Sequence, residues 1–150
     1  MLLARPSEML AHVGRTLEPS EWLVIDQSLI DQFAQLTDDH NWIHVDSARA
    51  ARELPGGTTI AHGFLTLSLV PRLTRTIFDI VEFAKGLNYG ANRIRFTGEV
   101  PSGSRIRLHI FVKEVQRNEN VIRMILENKV EVEGRDRLAL VAETIYQYYE

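Results

Sequence analysis

The chain has 150 residues, of which 45% are hydrophobic and 25% are charged, and it carries a formal net charge of -3 with a pI near 6.0. This length and composition are typical of one globular domain whose core is large enough to fold without a disulfide or a metal. The acidic balance argues against a nucleic-acid or membrane-surface partner. We therefore expect a single domain over residues 1–150.

Neither the N-terminus nor the longest apolar stretch has the features of a targeting or membrane-spanning segment. Residues 1–10 lack the apolar core and the small-residue cleavage site of a signal peptide. The stretch 60–73 is interrupted by His62, Ser68 and Pro71, and so falls short of the ~20 apolar residues that a membrane span needs. The chain contains no cysteine, so its thiol content does not indicate a compartment. We expect a cytoplasmic protein.

A short strand and two helices are predicted in the first third of the chain. The strand covers residues 21–27, and a helix over 28–37 follows, with apolar residues at helical spacing and Ser28 as its N-cap. A second helix covers 46–53 and ends at the Pro-Gly-Gly sequence of 55–57. These helices precede the longest apolar segment.

Residues 62–78, HGFLTLSLVPRLTRTIF, predict a third helix. This segment is apolar on nearly every side, which is typical of a helix enclosed by other structure. Pro71 lacks an N–H group and should kink the helix.

From residue 86 onward the apolar residues recur at every second position, which indicates β-strands. Four strands are predicted, joined by turns rich in Gly, Pro, Asn and Asp; they cover residues 92–100, 104–115, 120–133 and 138–149. In the second of them Ile106, Leu108, Ile110 and Val112 share one face. With residues 21–27, the pattern predicts an α+β fold in which an antiparallel sheet of about five strands curls around one long apolar helix.

The segment 36–50, LTDDHNWIHVDSARA, first suggests a zinc site. His40 and His44 are four residues apart, which on a helix would place both on one face. The metalloprotease pattern requires a glutamate directly after the first histidine, however, and position 41 is Asn41. The acids and the asparagine around it favour turns over a helix interior. We therefore expect no metal site.

An acid/base site makes fewer demands on the backbone of the same segment. One carboxylate and one imidazole that meet at a common point can hold and polarise a water molecule. His44 could act with Asp38 or Asp39, and only one of these two acids should face the site because successive side chains diverge. The alternative is a polar loop that ends one helix and caps the next.

His62 and Gly63 stand where the apolar helix should begin. Free N–H groups at a helix start can stabilise an oxyanion or a polarised carbonyl, and glycine lets a ligand approach the backbone. Alternatively, His62 is a half-buried cap and Gly63 a packing residue. Ser68 is either a helix serine bonded to the Phe64 carbonyl or a partner in the chemistry.

The arginines of the predicted sheet, Arg93, Arg95, Arg105 and Arg107, alternate with apolar residues. This alternation is typical of the solvated face of a one-sided sheet, and contact with ligand phosphates is the alternative. Trp42 is interpreted as a hydrophobic plug beside the loop.

Together these residues resemble the MaoC-like family of (R)-specific enoyl-CoA hydratases, in particular its nodulation protein N-like branch. The family signature is a small residue, Gly, Asp, any residue, Asn, Pro, an apolar residue and His, and the corresponding run here is TDDHNWIH (37–44). Alignment on His44 selects Asp39 as the acid. Asp38 stands for the signature Gly and Trp42 for the signature Pro. The sequence AHGFLTLSL (61–69) is similar to the His-Gly opening of the family's central helix.

The resemblance implies a hot-dog fold and a homodimer with the acyl-CoA site at the subunit interface. It implies hydration of trans-2-enoyl-CoA to (R)-3-hydroxyacyl-CoA, and the reverse dehydration, with water activated by Asp39 and His44. The Gly63 N–H would hold the thioester oxygen, and the supporting residues would be Asn41, His62 and Ser68. The acyl group would be carried by CoA or by acyl carrier protein, and no cofactor or metal is needed because the thioester is the electron sink. The alternatives are a hot-dog thioesterase and a non-catalytic module that binds acyl thioesters.

Overall fold

The computed structural model describes residues 1–150, which form seven strands and five α-helices. The strands are β1 (Leu2–Leu3), β2 (Leu23–Ile25), β3 (Asp79–Ile80), β4 (Lys85–Phe96), β5 (Ser104–Asn118), β6 (Val121–Val132) and β7 (Leu140–Tyr149). The helices are α1 (Gln27–Thr37), α2 (Trp42–Val45), α3 (Ser47–Glu53), α4 (Gly63–Ser68) and α5 (Val70–Ile77), and a 3-10 helix covers Pro6–His12. No helix is both long and apolar enough to cross a membrane.

Five strands form one antiparallel sheet in the order β2-β5-β6-β7-β4, as the alternating pattern predicts. The short strands β1 and β3 pair separately, in parallel. Strand β4 starts at Lys85, near residue 86 where the period of two was expected to begin, and so is longer than the predicted strand 92–100 at its N-terminal end. Its pairing with β7 shifts register between Asn88 and Gly90 and again between Ala91 and Arg93. The edge strand is therefore irregular where its sequence is least typical of a strand.

The core lies between the concave face of the sheet and the helix pair α4–α5. The predicted inward positions of β5, Ile106, Leu108, Ile110 and Val112, are fully buried. Burial of a side chain of this kind stabilises the fold by roughly 1.5–3 kcal/mol. Apolar residues of α4 and α5 pack into the same cluster, and the predicted α+β architecture is confirmed.

The predicted central helix of residues 62–78 is divided into α4 and α5. The break is at Leu69, and Pro71 is the second residue of α5, where a missing N–H costs no helical hydrogen bond. The prediction that the helix is enclosed on all sides is wrong for this chain, because Phe64, Ser68 and Arg72 are exposed. The sheet covers only one side of the helix pair.

Helix α1 begins one residue earlier than predicted, and its N-cap is Asp26 instead of Ser28. The Asp26 carboxylate accepts a hydrogen bond from the Leu29 N–H at 2.8 Å. Asp and Ser are about equally good N-caps, so the sequence alone does not choose between them. Helix α2 was not predicted, because its four residues are too few to show a helical period.

The outer face of the sheet carries charged side chains. Arg105 forms an ion pair with Glu133, and Arg107 forms one with Glu131 at 2.7 Å. The Arg107 guanidinium also lies 4.5 Å from the centre of the Trp22 ring. Arg93, Arg95 and Arg105 are exposed, as predicted for solvated strand residues, whereas Arg107 is half-buried.

Candidate active site

The segment between α1 and α2 carries Asp39 and turns sharply at Asp38. Asp38 has a left-handed backbone with a φ of 58° and a ψ of 22°, and it directly follows the last residue of α1. Glycine is the usual residue at such a position, and Asp is one of the few others that adopt this conformation. The Asp38 side chain is 98% exposed. Replacement of the signature Gly thus keeps the turn and directs the second acid into solvent.

Asn41 and Trp42 begin α2. The Asn41 side chain caps this helix by accepting from the Ile43 N–H at 3.4 Å, and the Asn41 N–H donates to the Asp39 carboxylate at 3.4 Å. Trp42 is the first residue of α2, a position that favours proline, and its ring packs against the Arg49 guanidinium at 4.0 Å. The second departure from the signature therefore stands at the first position of a helix, where the signature proline is also favoured.

His44 lies on α2 and is buried, with its ring held by the backbone. The Nδ1 atom lies 2.6 Å from the Ile60 carbonyl oxygen, which can only accept a hydrogen bond. In the neutral ring the proton is therefore on Nδ1, and Nε2 has a free lone pair. The Gln27 side chain fixes the His44 backbone by donating to its carbonyl oxygen at 2.7 Å. Both ring and backbone of His44 are thus held in one orientation.

Burial lowers the pKa of His44 below its ordinary value of 6.5, although the hydrogen bond to the Ile60 carbonyl opposes this shift. The neighbouring His62 lowers the pKa further, and Asp39 raises it. A lowered pKa keeps the ring neutral near pH 7, so Nε2 is available to accept a proton.

His62 joins the acid and the base of the candidate site. Its ring stacks on that of His44, with the centroids 3.7 Å apart and the planes inclined at 26°. Its Nε2 atom lies 3.0 Å from the Asp39 carbonyl oxygen and 4.0 Å from a carboxylate oxygen of the same residue. The side chain of His62 is 3% exposed and that of Asp39 is 56% exposed. His62 is therefore the buried member of this contact, and the Asp39 side chain is open to solvent.

The ligand atoms of Asp39, His44 and His62 lie within 4.8 Å of one another, close enough to raise the question of a metal. This trio differs from the His40 and His44 pair considered in the sequence, since His40 lies beside the exposed Asp38 at 3.5 Å. One nitrogen of each buried ring already faces a carbonyl oxygen. Only one nitrogen of each ring is left for a metal, and with Asp39 the trio offers three ligands, one fewer than a structural zinc site uses. We assign no metal to the trio.

Gly63 begins α4, and its lack of a side chain is explained by packing. A Cβ atom on Gly63 would lie 2.8 Å from Cγ of Phe96. No side chain caps the start of α4, so the N–H groups of its first turn have no partner of that kind. The packing interpretation of Gly63 thus has direct support, and its backbone remains open to a ligand.

A cavity of about 500 Å³ adjoins this start of α4. His44, Gly63 and Thr66 line its inner wall. Ser68 is exposed and lines a different cavity, so the structure does not bring it to the Asp39 and His44 pair. Thr66, which is only 3% exposed, is the hydroxyl residue beside His44. The sequence analysis missed Thr66, although its position three residues after Gly63, on the same helix face, was a signal for it.

Residues 8–134 match the family described as MaoC like domain. The chain belongs to this family. The 3-hydroxyacyl-thioester dehydratase Z of Mycobacterium tuberculosis is 41% identical to it over 143 residues, which cover 95% of this chain and 94% of that protein. Nodulation protein N of Rhizobium leguminosarum bv. viciae is 44% identical over 142 residues, which cover 92% of this chain and 88% of that protein.

The fold of this MaoC-like chain is also found among solved structures. An unliganded (R)-hydratase from Pseudomonas aeruginosa superimposes with a TM-score of 0.77 at 22% identity, covering 99% of this chain and 87% of that one. The hot-dog fold and the resemblance to the nodulation protein N branch are therefore confirmed.

The substitution Gly63→Ala tests the packing role of this glycine. The new methyl group would meet Cγ of Phe96, which is the ring atom nearest the backbone and cannot swing away freely. We expect a loss of ~1–3 kcal/mol in the free energy of unfolding, measured by urea denaturation. The control is the same substitution in a Phe96→Ala background, where it should cost much less. An equal cost in both backgrounds would contradict the packing role.

Proposed function

We propose that this protein adds water to trans-2-enoyl thioesters to form (R)-3-hydroxyacyl thioesters, and catalyses the reverse dehydration. The observation that carries the proposal is the buried His44, whose Nε2 is free because Nδ1 is bonded to Ile60, next to the Asp39 carboxylate. The relative named as a 3-hydroxyacyl-thioester dehydratase supports the same reaction class.

In the hydration direction, Asp39 and His44 hold one water molecule between them. His44 Nε2 takes a proton from the water as its oxygen forms a bond to C3 of the substrate. The electron pair of the C2–C3 double bond moves toward the thioester carbonyl, whose oxygen gains negative charge. C2 then takes a proton from the acid/base pair, which returns the site to its starting state.

The remaining site residues bind or position these groups. The Gly63 N–H holds the thioester oxygen as negative charge develops on it. Asn41 orients the loop through its contacts with Asp39 and Ile43, and His62 keeps Asp39 and His44 together. The chemistry needs no metal or bound cofactor, since the thioester accepts the electron pair.

The substitutions Asp39→Asn and His44→Gln test the catalytic pair. Each should lower the turnover of crotonyl-CoA by ~10²-fold or more, the scale of general acid/base catalysis, while the melting temperature stays close to that of the wild type. Asp38→Asn and His40→Gln are matched controls, because these neighbours on the same loop face solvent. Both controls should retain wild-type rates.

The assay follows loss of the enoyl absorbance and release of free thiol together. Hydration consumes the enoyl group without releasing CoA. Thiol release that depends on Asp39 would instead identify a thioesterase, and binding without turnover at any chain length would identify a binding module. Near-normal hydration by both the Asp39→Asn and the His44→Gln variants would refute the assignment.

The lowered pKa of His44 predicts the pH profile of hydration. A general base must be neutral, so kcat/KM should be level near pH 7 and fall as the pH drops through the pKa of His44. The midpoint of this acid limb should lie below 6.5, the ordinary value for histidine, because burial disfavours the protonated ring. If the midpoint of the acid limb lay well above pH 6.5, protonation of His44 would not be the cause of the loss of activity.

We further propose that the chain forms a homodimer through β4. This strand is at the edge of the sheet and is exposed along almost its whole length, so one row of its N–H and C=O groups is available for pairing. Leu87, Tyr89 and Phe96 are exposed apolar residues on it, and Phe64 of α4 lies beside Phe96. A second copy that pairs with this edge would cover both features.

Sedimentation tests the homodimer. The wild type should sediment as a particle of about twice the 17.2 kDa of the chain. Tyr89→Glu should shift the protein toward the monomer, because a charged side chain on an edge strand opposes pairing with another chain. Val24→Glu, at the exposed opposite edge of the sheet, is the control and should leave the dimer intact. A monomeric wild type, or a fully dimeric Tyr89→Glu variant, would contradict pairing at β4.

A further inference from the structure

We propose that Arg135 and Arg137 bind the phosphate at the far end of the substrate's pantetheine arm. Both arginines are exposed, and both line the cavity that His44 and Gly63 line at its inner wall. The inference rests on the proposed function in that the ligand is taken to be a thioester of phosphopantetheine. The inference identifies a second part of the substrate, distant from the reacting atoms, that the protein binds.

The cavity has room for more than the reacting atoms of the substrate. Its volume of about 500 Å³ is within the ~300–1,000 Å³ range of small-molecule sites. Buried residues, His44 and Thr66, line one part of the cavity, and the exposed arginines of the turn between β6 and β7 line another. A ligand with a reactive thioester at one end and an anion at the other matches this arrangement.

The turn that carries the arginines is attached to the start of α4 through a series of close contacts. Phe96 packs against Gly63, and Thr97, the next residue, donates from its hydroxyl to the Leu138 carbonyl at 2.6 Å. The Thr97 N–H donates to the Ala139 carbonyl at 2.9 Å. Gly98 allows close approach here, since a Cβ on it would lie 2.8 Å from the Leu138 carbonyl oxygen and 3.6 Å from Cγ of Arg137. The position of Arg137 is thus coupled to that of Gly63.

The charged residues that line the cavity favour an anion, and Asp136, which lies between the two arginines in the sequence, does not line it. The ion pairs formed by arginines in this chain involve Arg5, Arg49, Arg75, Arg105, Arg107 and Arg117, which leaves Arg135 and Arg137 without a carboxylate partner. Glu133, the first residue of the same turn, is paired with Arg105. Glu99 is the one acid that lines the cavity, so the two arginines outweigh it. Arginine presents a planar fork of N–H groups that matches the oxygens of a phosphate.

Two substrates share this chemistry. CoA carries a pyrophosphate and a further ribose phosphate beyond its pantetheine arm, and a carrier protein presents a single phosphodiester there. The titrations therefore use CoA, 4′-phosphopantetheine and pantetheine, which differ in phosphate content and undergo no reaction. Comparison of CoA with 4′-phosphopantetheine tells whether the additional phosphates of CoA are also bound.

The test compares these ligands by calorimetry on the wild type, the double variant Arg135→Gln/Arg137→Gln and the control Arg15→Gln. Arg15 is an exposed arginine outside the cavity. The double variant should bind CoA at least ~10-fold more weakly than the wild type, in line with the loss of hydrogen bonds between charged groups. Its affinity for pantetheine should not change, and Arg15→Gln should behave as the wild type with all three ligands. Lys at both positions should restore part of the affinity, because it keeps the charge without the fork.

Wild-type affinity for CoA in the double variant would overturn the inference, as would an equal loss of affinity for pantetheine, which would indicate a structural effect. The inference would also fail if the wild type bound CoA no better than pantetheine. A wild type that binds CoA through the arginines but does not hydrate crotonyl-CoA would refute the proposed function and leave the anion site standing.

Discussion

The hydrogen bond between His44 Nδ1 and the Ile60 carbonyl is the interaction on which the candidate site depends. It selects the tautomer, and so leaves Nε2, the other ring nitrogen, as an acceptor. The segment that supplies this carbonyl is itself tied to α2, because the Ile60 N–H donates to the Ile43 carbonyl at 3.0 Å. The base therefore has its orientation set by backbone groups, which a change of side chain cannot remove.

The loop around Asp39 shows why a signature can vary while its geometry is retained. Asp38 and Trp42 replace the Gly and Pro of the family signature, yet one adopts the left-handed backbone that ends α1 and the other begins α2. These backbone positions are what the signature residues favour. A second acid next to Asp39 appears in the sequence as a competing charge, but its exposed position separates it from the buried rings.

The expected and observed site residues differ where a contact joins residues that are far apart in the sequence. Asp39, His44, His62 and Gly63 were all identified from local pattern and resemblance, and the structure brings them together. Ser68 was placed at the site by the family resemblance, whereas in the structure it is exposed and lines a different cavity. Thr66 was missed although it lies on the same face of α4 as Gly63. Arg135 and Arg137 had no local signal, since they reach the cavity only when the turn before β7 folds beside α4.

The period of two after residue 86 and the apolar residues of 62–78 were sufficient to predict a sheet around a helix, because side-chain periodicity follows directly from backbone geometry. Helix caps and helix ends depend on small energy differences between neighbours, and so Asp26 and Ser28 could not be ranked in advance. The tertiary structure alone decided the stacking of His62 on His44, the contact of Phe96 with Gly63, and the burial that lowers the pKa of His44. Each of these joins residues from separate elements, and their distances are set by how the helices pack on the curled sheet.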